Sequence, residues 1–507
     1  MTSIILTTLN ARYIHASLGL RYLLANMGAL QPDTAILEFT IDDRPIDIVE
    51  RLLENQPRII GFGIYIWNVE HTTKVVALLK QIRPDIFIVL GGPEVSYEPD
   101  QQCIVQLADY LVTGAADLSF AKLCTGILSG AKSLQRIIHS DQVPLSQIVL
   151  PYQFYTTEDI ANRVIYVEAS RGCPFKCEFC LSSLDKTAWP FELDRFLAEL
   201  QALYERGVRQ FKFVDRTFNL KIDISLQILE FFLQRLDEKL FLHFELIPDR
   251  LPEKLKDVIK RFPPGTLQFE IGIQSFNPAV QSLISRKQDN EKCEQNLHWL
   301  CTQTHAHLHT DLIVGLPGED LGSFARGFNK LVLLNPHEIQ VGILKRLRGT
   351  PIIRHTETFQ IKYNPQPPYN ILSSNLIDFK TMQRFNRFAR YWDLIGNSGR
   401  FKNTKPILLG DSPFERFMHL SDWLFATTRQ THKIALGRLF ELLFKGMTTE
   451  LGVKTEIAVE TLSCDYFASG HNSCLSFMDP EQYKRLQKKQ AAKGFNAPDR
   501  QLRHLQH

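Results

Sequence analysis

Three thiols stand close together in one stretch, Arg171-Gly-Cys-Pro-Phe-Lys-Cys-Glu-Phe-Cys180, so Cys173, Cys177 and Cys180 carry the spacing Cys-x3-Cys-x2-Cys. Thiols that close suit a soft metal or an iron–sulfur centre. A structural zinc ion takes four tetrahedral ligands, usually as two short pairs. No second pair exists here: Cys464 and Cys474 are too far apart in sequence, and His305, His307 and His309 alternate at strand spacing, as satisfied or surface histidines do. A four-iron four-sulfur cluster held by three thiolates keeps one iron open for a substrate or cofactor, so three ligands suffice. Zinc and inert thiols are the rival readings. The remaining cysteines, Cys103, Cys124, Cys293, Cys301, Cys464 and Cys474, are expected to be buried small hydrophobes.

Something must hold these thiols in place. The 507 residues are enough for about three domains. Up to residue 130, strand-like runs at Ile4 to Leu6, Ala35 to Phe39, Ile59 to Ile64, Ile86 to Leu90 and Tyr110 to Val112 alternate with helical stretches. That alternation predicts a flavodoxin-like doubly wound domain with its ligand at the carboxyl ends of the strands. The loops there are Asn10 to Gly19 with Tyr13 and His15, Gly61 to Asn68 with Gly63, Tyr65 and Trp67, and Gly91-Gly92-Pro93-Glu94. Residues 131–163 read as a linker. Six further βα units begin at Val164, too few for a closed eight-stranded barrel, so an open (β/α)6 partial barrel over 164–360 is expected, with the thiols after its first strand. Residues 361–507 read as helical, with Phe379, Met382, Phe385, Phe388 and Trp392 on a core-facing stripe.

With 58 basic and 55 acidic side chains the net charge is +3, too small for general attraction to nucleic acid or anionic lipid. The seven Lys and Arg between Lys484 and His507 read as a solvated tail. No apolar run is long enough for a membrane helix, and the first residues lack a basic flank and an apolar block. A cytoplasmic enzyme is expected, in a compartment that keeps its nine cysteines reduced.

The cysteine spacing, with the aromatic Phe179 before the last thiol, resembles the radical S-adenosylmethionine enzymes over roughly residues 160–355. The resemblance implies that S-adenosylmethionine chelates the open iron, is cleaved by an electron from the cluster, and yields a 5'-deoxyadenosyl radical that takes a hydrogen atom from the substrate. It also implies roles at strand ends. Asp215, Glu245, Gln274 and Ser275 would position S-adenosylmethionine, and the stretch Asp311 to Glu319 would lie against its adenine.

A flavodoxin-like domain before such a barrel resembles the cobalamin-binding subgroup. Gly91-Gly92 is kept, Gly63-Ile-Tyr65 occupies a slot usually held by Ser-x-Leu, and the Asp of the usual Asp-x-His-x-x-Gly is missing, with His15 one residue too far from Gly19. By the resemblance, Asn10, Tyr13, His15, Gly63, Tyr65, Ile66, Trp67, Asn68, Gly91, Gly92 and Pro93 would surround the corrin. The expected reaction is methyl transfer to an unactivated carbon, with electrons from a donor such as flavodoxin or ferredoxin and a small-molecule or peptide substrate. A cyclisation or rearrangement without net methylation is the alternative, and a zinc-dependent binding module is the rival of another class. The carboxy-terminal third resembles an accessory domain of undefined function and is expected to cover the barrel mouth.

Overall fold

Short apolar runs separated by amphipathic stretches become two parallel sheets laid down in succession. The computed structural model describes residues 2–131, 133–471, 473–479, 481 and 483. The first sheet contains β1 (Ile4–Asn10), β2 (Thr34–Thr40), β3 (Ile59–Gly63), β4 (Phe87–Gly91), β5 (Tyr110–Thr113) and β6 (Ile137–His139). Their order is β2-β1-β3-β4-β5-β6, with every pairing parallel. Successive residues of β1 face opposite sides: Ile5 and Leu9 join one core, Ile4 and Leu6 the other. Helices cover both faces, so β1 is buried along its length. Between β1 and β3 the chain reverses its direction of travel across the sheet, which opens a crevice at their carboxyl ends.

The segment expected to be a linker does more than connect. It supplies β6, then a helix at Thr157–Asn162 whose Thr156 and Asp159 form a reciprocal cap. Asp159 also receives a 2.8 Å hydrogen bond from Arg21 of the first domain.

The second sheet contains β7 (Ile165–Val167), β8 (Gln210–Phe213), β9 (Phe241–Leu246), β10 (Leu267–Gln274), β11 (His307–Val314) and β12 (Glu338–Ile343), paired in sequence order and all parallel. This is the open six-stranded partial barrel. Along β10, Leu267, Phe269, Ile271 and Ile273 are buried in the core. Gln268, Glu270, Gly272 and Gln274 alternate with them and are left to the polar concave side.

Beyond the barrel, Met382, Phe385, Phe388 and Trp392 are buried on the helix Phe379–Ile395, whereas Phe379, in its first turn, is 57% exposed. Trp392 donates its indole N–H to the Ile339 carbonyl at 2.8 Å and packs edge-on against Phe328. The helices therefore close the flank at β12. They were expected to cover the barrel mouth, but among the described residues none beyond Asp311 lines either cavity described below. Cys124 and Cys293 are buried as expected, but Cys103 and Cys474 are exposed, since each lies on a surface segment outside the cores. The basic tail from Lys484 lies outside the described residues. Among the described residues no helix is long and apolar enough to cross a membrane.

Candidate functional site

After β7 the chain enters the cysteine loop through a short ribbon, Ser170–Arg171 paired antiparallel with Trp189–Pro190. Asp215 braces it from behind, accepting hydrogen bonds from the Ala169 N–H at 2.9 Å and the Ser170 hydroxyl at 2.6 Å. Burial pushes this carboxyl up to about 7. Gly172 has φ +87°, and a Cβ there would lie 2.2 Å from the Thr187 carbonyl oxygen, so only glycine fits. The Cys173 N–H donates to the Asp185 carbonyl at 3.1 Å. On the far side, buried Glu178 accepts from Arg354 at 2.8 Å and from Ser285 at 2.6 Å.

Cys173, Cys177, Cys180 and Phe179 all line one cavity of about 260 Å³ at the strand ends. Burial pushes the Cys173 thiol up to about 11 and raises Cys177, so the positive charge of a bound metal favours their thiolate forms. Among the described residues no three His, Cys, Asp or Glu side chains converge as a single metal ion requires. A polynuclear cluster asks something different, since each thiolate takes its own iron.

The opposite wall carries the polar groups. Arg286 donates to the Cys177 sulfur at 3.6 Å and to the Gly272 carbonyl. Arg216 donates to Glu245 at 2.7 Å, and burial raises Glu245 against that pairing. Glu270, although half-buried, is held at about 2 by His243, Lys212 and His309. Two buried acceptors, Gln274 Oε1 and Asp311 Oδ1, have no hydrogen-bond partner among the described residues. His309 Nε2 lies 3.4 Å from the latter, outside hydrogen-bonding geometry, and faces Gln340 at 3.1 Å instead. Burial, with Glu270 and Glu245 nearby, raises Asp311 well above the usual carboxylate range. Gln274 is held at φ +69°, and a Cβ at Gly272 would lie 2.4 Å from its amide nitrogen. Strain of this kind persists where the surroundings enforce it. Unused acceptors beside a guanidinium suit a ligand bearing hydroxyl donors and a carboxylate, as S-adenosylmethionine does.

A second, larger cavity of about 730 Å³ opens at the carboxyl ends of the first sheet and faces β7. Asn10, His15, Gly63, Tyr65, Trp67, Gly91 and Gly92 line it. Tyr65 and Trp67 stack at 4.4 Å, and His15 Nδ1 lies 2.7 Å from the Tyr166 hydroxyl. Gly61, on its floor, has no room for a side chain: a Cβ would lie 2.8 Å from Phe120. Bare glycine backbone above an apolar slot suits a broad macrocycle with amide arms, so the cavity passes the test of fit for a corrin. Its barrel wall holds Arg171, which donates to Glu168 at 2.9 Å and grips Asp117 through both terminal nitrogens at 2.9 and 3.2 Å.

Six expected residues lie elsewhere. Asp215 and Ser275 do not line the cysteine cavity, and Ser275 donates to Glu319 at 2.6 Å. Tyr13, Ile66, Asn68 and Pro93 do not line the larger cavity; Tyr13 donates to Glu158 at 2.8 Å, and the Asn68 amide donates to the Leu9 carbonyl at 3.1 Å. Sequence reasoning passed over Arg216, Glu270 and Arg286 in one cavity and Asp117, Tyr166, Glu168 and Arg171 in the other. Counting by twos from Lys212 on β8 through Val214, past the strand end, leads to Arg216, so alternation held part of the signal.

Comparison with known proteins follows the same division. Residues 4–123 match the B12 binding domain, 167–329 the radical SAM superfamily, and 357–505 a protein family of unknown function, DUF4080. An uncharacterized methyltransferase of Pyrococcus horikoshii is 27% identical over 336 residues, covering 60% of this chain and 70% of its own. The cobalamin-dependent radical SAM methyltransferase TokK of Streptomyces tokunonensis is 24% identical over 57% of this chain, which spans about half of that relative (47%). The solved structure of the radical S-adenosylmethionine methyltransferase TsrM from Kitasatospora setae, with cobalamin and a [4Fe-4S] cluster bound, superposes with a TM-score of 0.58 at 16% identity. It covers 75% of this chain and 82% of its own, which shows a shared fold.

Proposed function

We propose that this chain, a cobalamin-binding radical S-adenosylmethionine protein with a carboxy-terminal domain of unknown function, transfers a methyl group to an unactivated carbon. One observation supports the reading above the others: the two cavities share a wall. Glu168 and Arg171 line the larger, and Cys173, two residues on, lines the smaller. When bound, the cluster with S-adenosylmethionine supplies a hydrogen-abstracting radical and cobalamin supplies a transferable methyl group.

The chain's own part is positioning. Cys173, Cys177 and Cys180 hold the cluster. Arg286 offers its guanidinium to a carboxylate beside Cys177, while Gln274 and Asp311 present acceptors to hydroxyl groups. The bidentate Arg171–Asp117 pair keeps the entry to the cysteine loop in register with the first domain. Leu20, Leu23, Val89, Val112 and Phe120 give the larger cavity an apolar lining suited to a macrocycle face. Electrons come from a small reducing protein such as flavodoxin or ferredoxin, and the substrate is a small molecule or peptide.

The test is anaerobic reconstitution with iron, sulfide and cobalamin, followed by incubation with S-adenosylmethionine, reductant and cell extract. Methylation yields 5'-deoxyadenosine and S-adenosylhomocysteine together, with label from methyl-labelled S-adenosylmethionine appearing in a product. Abundant 5'-deoxyadenosine with no S-adenosylhomocysteine and no labelled product overturns methylation in favour of a rearrangement.

A further inference from the structure

The loop Gly91 to Glu98 reaches from the larger cavity to the far end of the barrel, and residues distant in sequence hold it there. Gly91 and Gly92 line the cavity. Gly92 has φ +108°, and a Cβ on it would lie 2.4 Å from the Ile64 carbonyl oxygen, so the loop turns sharply as it leaves β4. Two residues later Glu94 is 3% exposed. It accepts a 2.6 Å hydrogen bond from the Tyr369 hydroxyl and a 3.0 Å bond from Arg348 Nε, and Arg348 also donates to that hydroxyl at 3.2 Å. Glu98, in a left-handed conformation, accepts from Arg346 at 2.7 Å and from Arg348 Nη1 at 3.1 Å. Gly349 lies so close to the Tyr97 ring that a Cβ would come within 2.4 Å of it.

Tyr369 belongs to the region matched by the family of unknown function, and Arg346 and Arg348 lie between that region and the radical SAM match. Tyr369 is itself buried, with its N–H bonded to Gln366 and its carbonyl accepting from Arg346. Its neighbour Ile371 donates to the Leu344 carbonyl at 2.9 Å. A Cβ at Gly315 would strike both Ile371 and Met382, which ties this segment to the long aromatic helix. A buried carboxylate with neutral and cationic donors on it is costly to leave unpaired.

We infer that the carboxy-terminal domain, whose function is unassigned, braces the cobalamin site from outside: its Tyr369, together with Arg348 just before the domain, is a positioning residue that clamps Glu94 and so sets the Gly91-Gly92 edge of the corrin cavity. The inference rests on the proposal that this cavity holds cobalamin.

The test is corrin affinity, measured by visible-absorbance titration of the full-length, cluster-loaded protein with hydroxocobalamin. Tyr369→Phe keeps the ring and removes one hydroxyl. It is expected to weaken binding about tenfold, the effect of losing one hydrogen bond to a buried carboxylate, with iron and sulfide content unchanged. Glu94→Gln in the same background should add little, because both changes break one contact. Wild-type affinity in Tyr369→Phe and in Arg348→Gln overturns the clamp, as does a fall in thermal stability with corrin affinity intact. Failure of the wild-type protein to bind any corrin overturns the underlying reading instead.

Discussion

Gly61→Ala puts the corrin assignment to a quantitative test. The new Cβ would lie 2.8 and 2.9 Å from two atoms of the Phe120 ring and 3.3 Å from Leu6 Cδ2. Normal contact begins near 3.4 Å, so the ring must retreat by about 0.6 Å. Phe120 lines the larger cavity, so the ring yields more cheaply on that side with no corrin bound than with one. With a corrin seated the space is taken, and the variant then carries the strain of an overpacked core, about 1–3 kcal/mol. Because that added strain falls on the complex, it is read as affinity: about 5- to 150-fold at about 1.4 kcal/mol per tenfold. The assay is hydroxocobalamin titration, with urea denaturation of the corrin-free protein as the control. Gly61→Ala with Phe120→Leu should recover most of the loss, since the smaller side chain makes room. Affinity within twofold of wild type, or no recovery in the double variant, refutes the assignment of this slot to cobalamin.

Three further outcomes are expected. Cys177→Ala should abolish 5'-deoxyadenosine production and lower bound iron while the circular dichroism spectrum stays that of the wild type; continued cleavage of S-adenosylmethionine removes this residue from the ligand set. Arg286→Lys keeps the charge and loses the planar fork, so equilibrium dialysis of the cluster-loaded protein should show S-adenosylmethionine bound about tenfold more weakly, and unchanged binding contradicts the role given to this guanidinium. Asp215 is held at about 7 by burial, above the about 3.9 of an unfolded aspartate. The fold therefore favours its protonated form, and the stability this contributes is complete below about pH 4 and lost as pH rises through 7. The urea midpoint of Asp215→Asn should accordingly gain on that of the wild type between pH 4 and 7, and a pH-independent difference shows that the carboxyl is not so shifted.

Both sheets were legible because their signal is local. An apolar run of strand length next to an amphipathic stretch needs no distant partner to be recognised: the five strands expected in the first domain appear within a few residues of their expected limits, and six strands follow in the second. The sixth strand of the first sheet, Ile137–His139, was hidden because it is short, partly exposed and set in a polar segment; pairing with β5 makes it a strand. At the strand ends, side-chain parity decided which residues meet a ligand. Arg216 and Gln274 line the cysteine cavity, while their neighbours Asp215 and Ser275 face the other way.

The chain's order of residues alone determined the three-thiol spacing, the glycines of the loops around the larger cavity and the succession of βα units, since each is written within a few positions and follows from backbone geometry. Tertiary structure alone decided that Arg171 meets Asp117, 54 positions away, and that Tyr369 meets Glu94, 275 positions away. Those contacts are set by how two sheets and a helical flank pack together. Buried charges find their partners only after that packing has excluded water, and nothing in local periodicity names the partner.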